Sequence, residues 1–355
     1  MSIYYVNPAS GSDAAAGTAV GTAWLTTQHA ADTAVDGDTV RLLQTGIETI
    51  TAPIDFDTNS GTIANRGIQF NSWNSLGTSQ LDGYTIKASG TATSVVHATT
   101  ADFVWFRGVV LDADSVANYA FYNSVDGANS WRLLDCKFKN SNTSNVRVRG
   151  SAFWWFYNCD SFDSAGTGVS NAAGNRGPYQ WLGGNIYGNA SHGIEVNSAN
   201  TSWSRLNIYR NGADGINLSS NSGNASITNC TVFKNSGNGI EGYNGSGRNP
   251  YVISGNTFVE NGEYGYLAHS SSFLPIMVRF NHNHDNTTAG TDVTDGLGAD
   301  VITGAPQFTS TTDGSEDFTP LDGSPLDGAN INLTDIGSTG SVDPSGGGGT
   351  VGFAI

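Results

Sequence analysis

The chain is poor in charged residues, and lysine is the rarest of them. Asp, Glu, Lys and Arg together make 13% of the 355 residues, and only four residues are Lys. Fifteen basic residues against 31 acidic ones give a formal net charge of -16 at pH 7. Because such a chain repels polyanions, the composition argues against nucleic acid or an anionic membrane as its partner.

Long apolar runs and export signals are also missing. No segment approaches the roughly 20 consecutive apolar residues that a membrane-spanning helix needs. The first residues, MSIYYVNP, contain neither a basic region nor an apolar stretch typical of a signal peptide. We therefore expect no membrane partner, and synthesis in the cytoplasm without a secretion signal.

Cysteine is scarce, whereas glycine and asparagine are in excess. Cys136, Cys159 and Cys230 lack the spacing of metal ligands, so we predict buried free thiols. The 46 Gly and 35 Asn residues are poor helix formers, which excludes an all-helical protein. The glycines follow no three-residue period, which excludes collagen. Since both residue types tolerate positive φ, the sequence predicts many tight corners.

One pattern recurs between residues 130 and 270. Its clearest copies are WLGGNIYGNASHGIEV from Trp181, WSRLNIYRNGADGINL from Trp203, ITNCTVFKNSGNGIEG from Ile227 and ISGNTFVENGEYGYLA from Ile253. At intervals of 22, 24 and 26 residues they align two columns, namely Asn189, Asn211, Asn235 and Asn261, and Gly193, Gly215, Gly239 and Gly265. Weaker copies precede them, with Gly168 in one and Asn140 in the other.

Each copy contains a short β run, an Asn/Gly corner, and a second run in which apolar and polar residues alternate. One such unit cannot bury its own apolar face, so the units must stack. The repeat therefore predicts an all-β fold, a right-handed parallel β-helix solenoid whose coils are hydrogen-bonded about 4.8 Å apart.

The aligned columns predict how the coils hold together. Asn accepts the left-handed corner and can hydrogen-bond to the Asn of the next coil, so we predict a structural ladder. Another column contains both tryptophan and aliphatic residues, which favours an interior stack: Trp155, Trp181, Trp203, Ile227 and Ile253. An exposed tryptophan platform for sugars is the alternative for this column.

A stacked coil exposes its core and unpaired strand edges at both ends, so it needs caps. The segment WLTTQHAADTA at residues 24–34 predicts a short capping helix, followed by a turn at 36–38 and a strand at Thr39–Leu43. We divide the chain into an N-terminal cap with this helix (1–38), a parallel β-helix of roughly ten turns (39–285), and an irregular C-terminal cap with a Gly-rich tail (286–355).

Both ends of the chain resemble one group of proteins. YYVNPASGSDAAAGTAVGTAWLTTQHAADTAVDGDTVRL resembles the opening of right-handed β-helix proteins of the pectate-lyase-like superfamily, and GAPQFTSTTDGSEDFTPLDGSPLDGANINLTDIG is similar to their closing segment. With the central repeats, the resemblance covers nearly the whole chain. It implies this fold but not one function, because the superfamily includes lyases, hydrolases, epimerases, adhesins and bacteriophage spikes.

The catalytic motifs of that superfamily do not match. Its lyases generally use a Lys or Arg base and acidic Ca²⁺ ligands on one outer face, and the polygalacturonase-like set NTD, DD, GHG and RIK is absent. The columns offer other candidates, because Glu195 and Glu241 are expected outward and two coils apart, about 9–10 Å. Their side chains could reach the roughly 6.5–9.5 Å used by inverting glycosidases, with His192 and Asp214 beside them. Solvated surface positions are the alternative interpretation of all four residues.

Two other groups resemble partial metal sites. His282 and His284 would share one face of a strand beside Asp285, but a polar turn is the favoured interpretation. Asp112 and Asp114 could bind Ca²⁺, although two carboxylates are a weak signal. We predict no metal site and no cofactor, and we keep Ca²⁺ at the two aspartates as the alternative.

The missing export signal and catalytic motifs favour a non-enzymatic virion structural protein of a bacteriophage, a capsid decoration or spike-like protein presenting a rigid β-helix. Whether the chain is an enzyme stays open. We expect other virion proteins and its own copies, as a homotrimer, as partners, with host polysaccharide as a further ligand. Phe353 and Ile355, beyond a glycine run, are the predicted assembly residues. The location would be the virion, outside the cell after release.

The alternative is a polysaccharide-degrading lyase or glycosidase that acts on the outer face of the β-helix. A bacterial surface adhesin is a third hypothesis.

Overall fold

The chain winds as a parallel β-solenoid. The computed structural model describes residues 1–57, 59–62, 64, 67–124, 130–149, 153–171, 178–197, 200–218, 224–242, 252–268, 277–279, 281–287, 304–312, 316–322 and 324–326. Almost all regular structure in these residues is β, which confirms the predicted all-β class. None of the helices in this part of the chain is long and apolar enough to cross a membrane.

Three parallel sheets run along the solenoid, and successive coils contribute one strand to each. Sheet 1 stacks Ile3–Val6, Thr39–Leu43, Ile68–Trp73, Val104–Arg107, Trp131–Leu134, Trp154–Tyr157, Tyr179–Leu182, Thr201–Ser204, Ser226–Thr228, Val252–Ser254 and Met277–Arg279. Sheet 2 stacks Ile47–Ile50, Tyr84–Ala88, Val109–Asp112, Lys137–Lys139, Asp160–Phe162, Asn185–Tyr187, Asn207–Tyr209, Thr231–Phe233, Thr257–Val259 and His282–His284. Sheet 3 stacks Ile54–Phe56, Ser94–Ala98, Tyr119–Asn123, Ser144–Val148, Thr167–Asn171, Ile194–Val196, Ile216–Leu218, Ile240–Gly242 and Tyr266–Ala268.

The interior of the solenoid is a set of stacked apolar columns. Trp181, Trp203, Ile227 and Ile253 pair in register along sheet 1 and are fully buried, which confirms the predicted interior stack for them. The prediction for Trp155 is wrong. Trp155 pairs with Gln180 on the outer face, and Phe156 takes the inner position instead. A shift of one residue in a strand moves a side chain to the opposite face.

The predicted asparagine ladder is confirmed. Each side-chain Nδ2 donates to Oδ1 of the next coil, at 2.9 Å from Asn189 to Asn211, 2.8 Å from Asn211 to Asn235 and 3.0 Å from Asn235 to Asn261. A further bond of 2.8 Å extends the ladder to Asn286. The buried amides therefore satisfy one another along the stack.

The left-handed corner does not fall on the ladder residues, which corrects one part of the prediction. It falls one residue earlier, on Arg210, Lys234 and Glu260, with φ of 54°, 51° and 53°. A left-handed L-residue costs roughly 1–2 kcal/mol, so the neighbouring buried hydrogen bonds must offset that cost at each coil.

The N-terminal cap contains the predicted helix, in a shorter form. Helix α1 spans Thr27–Thr33, and the Thr26 side chain caps it by accepting a hydrogen bond from the backbone N–H of His29. Its Ala30 and Ala31 are buried against the core. A 3₁₀ turn at Val20–Thr22 precedes it, and the strand Ile3–Val6 pairs with the predicted strand Thr39–Leu43.

Near the C-terminus, an antiparallel pair of strands, Phe308–Ser310 and Asp317–Pro320, lies against sheet 2. Phe318 is buried there, with ring centroids 5.3 Å from both Tyr209 and Phe233. Residues 327–355, with the predicted assembly residues Phe353 and Ile355, lie outside the described part of the chain.

Candidate functional site

The outer face of sheet 3 carries a continuous column of polar side chains, one from each of its first eight strands in chain order. The register of the strands aligns them in the order Asp55, His97, Tyr122, Arg147, Ser170, Glu195, Asn217 and Glu241. Neighbours in this sheet-3 column are about 4.8 Å apart. The stacking therefore converts intervals of more than 20 residues along the chain into direct side-chain contacts.

His192 lies in the turn just before one of these strands and is held by Asp214 of the next coil. His192 Nδ1 is 3.1 Å from Asp214 Oδ2. The Asp214 side chain is only 6% exposed, and its Oδ1 accepts hydrogen bonds from the backbone and side-chain nitrogens of Asn238, at 2.7 and 3.1 Å. Because Asp214 is fixed from both sides, the imidazole has a defined position at the surface.

Asn217 joins this pair to the carboxylates of the column. Its Nδ2 lies 3.0 Å from Glu241 Oε2 and 3.3 Å from Asp214 Oδ2. Ser170 Oγ donates to Glu195 Oε2 at 3.3 Å, and Glu195 pairs in register with Asn217. The four residues predicted from the sequence, together with Asn217, therefore lie in one group, the His192 cluster: His192, Glu195, Asp214, Asn217 and Glu241.

The electrostatics of the His192 cluster favour a charged imidazole. Burial alone would lower the pKa of His192, but the Asp214 hydrogen bond and the charges of Asp214, Glu195 and Glu241 outweigh it and raise that pKa. Burial would raise the pKa of Asp214, but its hydrogen bonds, that of His192 foremost, hold it well below the usual range. The pair therefore keeps a proton on His192 at a higher pH than an isolated histidine would.

Sequence reasoning missed the connecting roles of Asn217 and Ser170. Both occupy the same outward position after the corner as Glu195 and Glu241. That shared position was the signal that could have identified them.

Asp112 and Asp114, the two carboxylates considered as Ca²⁺ ligands, are each paired with a lysine. Asp112 contacts Lys139 Nζ at 3.1 Å, and Asp114 contacts Lys87 Nζ at 2.8 Å. No group of three or more His, Cys, Asp or Glu side chains in the described residues is arranged to hold a metal ion. Asp112, which is buried, and Asp114, which is half-buried, therefore act as ion-pair partners of lysines.

The two histidines near the end of the solenoid lie on the strand His282–His284, so the favoured polar turn is wrong, and they have separate partners. His282 is buried, and its Nε2 is 2.6 Å from the Gly304 carbonyl oxygen. His284 Nε2 is 3.0 Å from Asp285 Oδ2. The three cysteines are buried and free, as predicted.

Sheet 1 presents a different kind of outer face, made of aromatic rings and a guanidinium. The Arg132 guanidinium carbon lies 4.5 Å from the ring centroid of Trp105 and 5.0 Å from that of Trp155. The Phe153 ring stacks on the Trp155 ring, with centroids 5.6 Å apart. Phe153 is 46% exposed to solvent. Because Trp181 and Trp203 are buried, the sugar-platform alternative is wrong for the predicted column, and Trp155 on the outer face contacts Arg132 and Phe153.

Residues 119–303, more than half of the chain, match the family model described as the right handed beta helix region, and the chain belongs to this family. No curated protein matches the sequence.

Among solved structures, pectate lyase Pel9A superposes with a TM-score of 0.69 at 16% identity, covering 95% of this chain and 96% of its own. An alginate lyase from Paenibacillus sp. str. FPU-7 superposes with a TM-score of 0.55 at 14% identity, covering 84% and 98%. The A-module of the mannuronan C-5 epimerase AlgE6 from Azotobacter vinelandii gives 0.50 at 15% identity, covering 77% and 83%. At these identities the likeness shows a pectate-lyase-like fold alone.

Proposed function

We propose that this chain is a polysaccharide-degrading enzyme that hydrolyses glycosidic bonds at the His192 cluster. The observation that carries the proposal is the pairing of His192 with Asp214 beside two outward glutamates. This cluster lies on the solvent side of a long sheet, along which an extended polymer can bind. The superposed structures, which are named as two polysaccharide lyases and a mannuronan epimerase, support a polysaccharide as the ligand class.

Glycoside hydrolysis needs one group that protonates the leaving oxygen and one that activates water. The raised pKa of His192 suits the first role, because the imidazole holds its proton to a higher pH than an isolated histidine does. Glu195, whose carboxylate is oriented by Ser170, is the base in this scheme. Asp214 is a positioning residue, since it fixes the imidazole through the hydrogen bond to Nδ1.

The charge of the His192 cluster favours a neutral glycan. Three carboxylates surround one imidazole, so a uronate residue would add a fourth negative charge to a site that already carries a negative excess. Elimination needs such a uronate next to the bond that breaks, whereas hydrolysis does not. We therefore assign hydrolysis rather than lyase chemistry.

The absence of the polygalacturonase-like motifs excludes a polygalacturonase-like catalytic site. It does not exclude a catalytic site that is made of other residues. The virion role, the virion location, the homotrimer and the docking of Phe353 and Ile355 stay predictions, because no described residue and no comparison tests them. The same holds for the predicted lack of a cofactor.

The test is a panel of neutral and uronate-containing polysaccharides, assayed for new reducing ends and for the ultraviolet absorbance of unsaturated products. We expect reducing ends without unsaturated products, and a loss of roughly 100-fold or more in Glu195→Gln and His192→Gln. Glu260→Gln is the matched control, since Glu260 forms an exposed ion pair with Lys234 at a corner after sheet 2. Unsaturated products would refute hydrolysis, and a panel without any cleavage would refute the enzyme.

A further inference from the structure

A second group of reactive side chains lies at the other end of the sheet-3 column. Asp55 Oδ1 is 2.8 Å from His97 Nδ1, and His97 Nε2 is 2.9 Å from Ser124 Oγ. A carboxylate, an imidazole and a hydroxyl are thus joined in one line, with each ring nitrogen of His97 bound to a different partner. This is the bonding order of a hydrolytic Ser-His-Asp triad, which is recognised by geometry and not by fold.

The fold places Asp55, His97 and Ser124 next to one another. Asp55 and His97 pair in register on adjacent strands, and the Asp55 backbone is held by helix α1, because its N–H donates to Gln28 Oε1 at 2.8 Å. Ser124 follows the strand Tyr119–Asn123, two residues after Tyr122, and therefore faces the same side as the column. Asp55 and His97 thus come from adjacent strands of one sheet, and Ser124 directly follows the next strand.

Aromatic packing fixes the plane of the imidazole. The His97 ring stacks on Tyr122, with centroids 5.2 Å apart and planes at 11°, and Tyr122 stacks on Tyr119 at 4.4 Å. Arg147 Nη1 in turn donates to the Tyr119 hydroxyl at 2.6 Å. A base whose orientation is fixed before substrate binds is what nucleophilic catalysis requires.

The Asp55–His97–Ser124 group is open to solvent, and an arginine, Arg149, lies near it. The side chain of His97 is 23% exposed, and Ser124 is only partly buried. Arg149 is exposed and directly follows the strand Ser144–Val148, and its backbone N–H donates to Oδ1 of Asn123, the residue before Ser124, at 3.1 Å.

We propose that Ser124, His97 and Asp55 form an esterase site that removes acyl groups from an O-acylated polysaccharide. Ser124 Oγ attacks the acyl carbonyl carbon while its proton passes to His97 Nε2. The ester bond to the sugar breaks, and the sugar oxygen takes that proton. Water then attacks the acyl-serine with His97 as the base, which releases a carboxylic acid and restores the serine.

The polysaccharide part of this inference rests on the proposed function, whereas the ester chemistry does not. His97 and Glu195 lie four strands apart in the sheet-3 column, about 19 Å. One extended polymer could therefore contact both sites. The two activities are nevertheless separable by mutation, because the two clusters share no residue.

The experiment treats the full chain with a fluorophosphonate probe and measures hydrolysis of p-nitrophenyl acetate and acetate release from acetylated xylan. We expect the probe on Ser124, and a loss of roughly 100-fold or more in hydrolysis in Ser124→Ala and His97→Gln. Ser204→Ala is the matched control, because Ser204 is a partly buried outward serine of sheet 1 that bonds to Thr228. Its hydrolysis should equal that of the unmodified chain.

Two results would overturn the esterase site: no label and no ester hydrolysis, or full hydrolysis retained in Ser124→Ala with an unchanged melting temperature. Glu195→Gln separates the two proposals, since it should keep ester hydrolysis while polymer cleavage is lost. If polymer cleavage were absent and Ser124-dependent ester hydrolysis present, the proposed glycosidase alone would be wrong.

Discussion

Replacing Asn211 by alanine removes the centre of the asparagine ladder. Asn211 Oδ1 accepts from the backbone N–H of Asn189 at 3.3 Å and from its Nδ2 at 2.9 Å. Asn211 Nδ2 donates to the Ile186 carbonyl at 3.2 Å and to Asn235 Oδ1 at 2.8 Å. Alanine thus deletes four hydrogen bonds and leaves the buried N–H of Asn189 without this partner.

The expected loss in the free energy of unfolding follows from these contacts. An orphaned buried donor costs about 1–3 kcal/mol, and each further lost hydrogen bond contributes about 0.5–1.5 kcal/mol. We therefore expect Asn211→Ala to destabilise the chain by about 3–5 kcal/mol, a large part of the stability of a typical domain. Urea unfolding followed by circular dichroism measures it as a lower midpoint at an unchanged slope.

The matched control is another asparagine that stacks on an asparagine of the preceding coil. Asn224 Nδ2 donates to Asn200 Oδ1 at 3.1 Å, but this pair is exposed, so water can replace the bond. Because Asn224 has a left-handed φ of 50°, the control is Asn224→Gly, which also accepts that backbone conformation and should change the stability by no more than about 0.5 kcal/mol. If the two variants unfolded at the same urea concentration, the ladder would not be what stabilises the stack.

Three further predictions concern packing and pH. In Gly193→Ala the new Cβ would lie 2.7 Å from the Gly215 carbonyl oxygen, so thermal melting should show a loss of about 1–3 kcal/mol. Gly46→Ala, whose nearest atom is 3.9 Å away, should melt like the unmodified chain, and equal melting of both would contradict the packing.

The raised pKa of His192 stabilises the fold fully below about pH 6.5, and this contribution is lost as pH rises through that pKa. The lowered pKa of Asp214 stabilises the fold above about pH 4, and its contribution is lost as pH falls. The urea midpoint should therefore decline both above and below this pH range. If Asp214→Asn showed the same dependence of the midpoint on pH as the unmodified chain, the His192–Asp214 ion pair would not be its cause. Phe318→Ala should lower hydrogen-exchange protection at Phe308–Ser310 and leave the sheets protected, since Phe318 packs in a separate cluster; equal loss throughout would argue against that separation.

Regular spacing made the solenoid and its ladder predictable. Once Asn189, Asn211 and Asn235 align at nearly constant intervals, parallel stacking follows from the need of each unit to bury its apolar face. It was harder to predict which residues of a strand face the interior and which face outward. In WWFY at Trp154–Tyr157 every residue is aromatic, so alternation gives no indication of which rings point inward.

The same reasoning explains which site residues were found. Stacking turns the 22-residue interval between His192 and Asp214 into a contact, and the repeat displays that interval directly. Asp55 and His97 are adjacent in space but 42 residues apart, because the coil that joins them is much longer than the repeat. Only the register of the strands shows that they are neighbours.

The outer faces of sheet 2 and sheet 3 differ in the cations that pair with their acidic residues. All four lysines pair with acidic residues on strands or corners of sheet 2: Lys87 with Asp114, Lys137 with Asp160, Lys139 with Asp112, and Lys234 with Glu260. On sheet 3 the ion-pair partner of the acidic cluster is His192, whose charge depends on pH near neutrality. A lysine there would fix the positive charge and could not exchange its proton in that range. The difference between the faces therefore favours proton-transfer chemistry on sheet 3 and ion pairing on sheet 2.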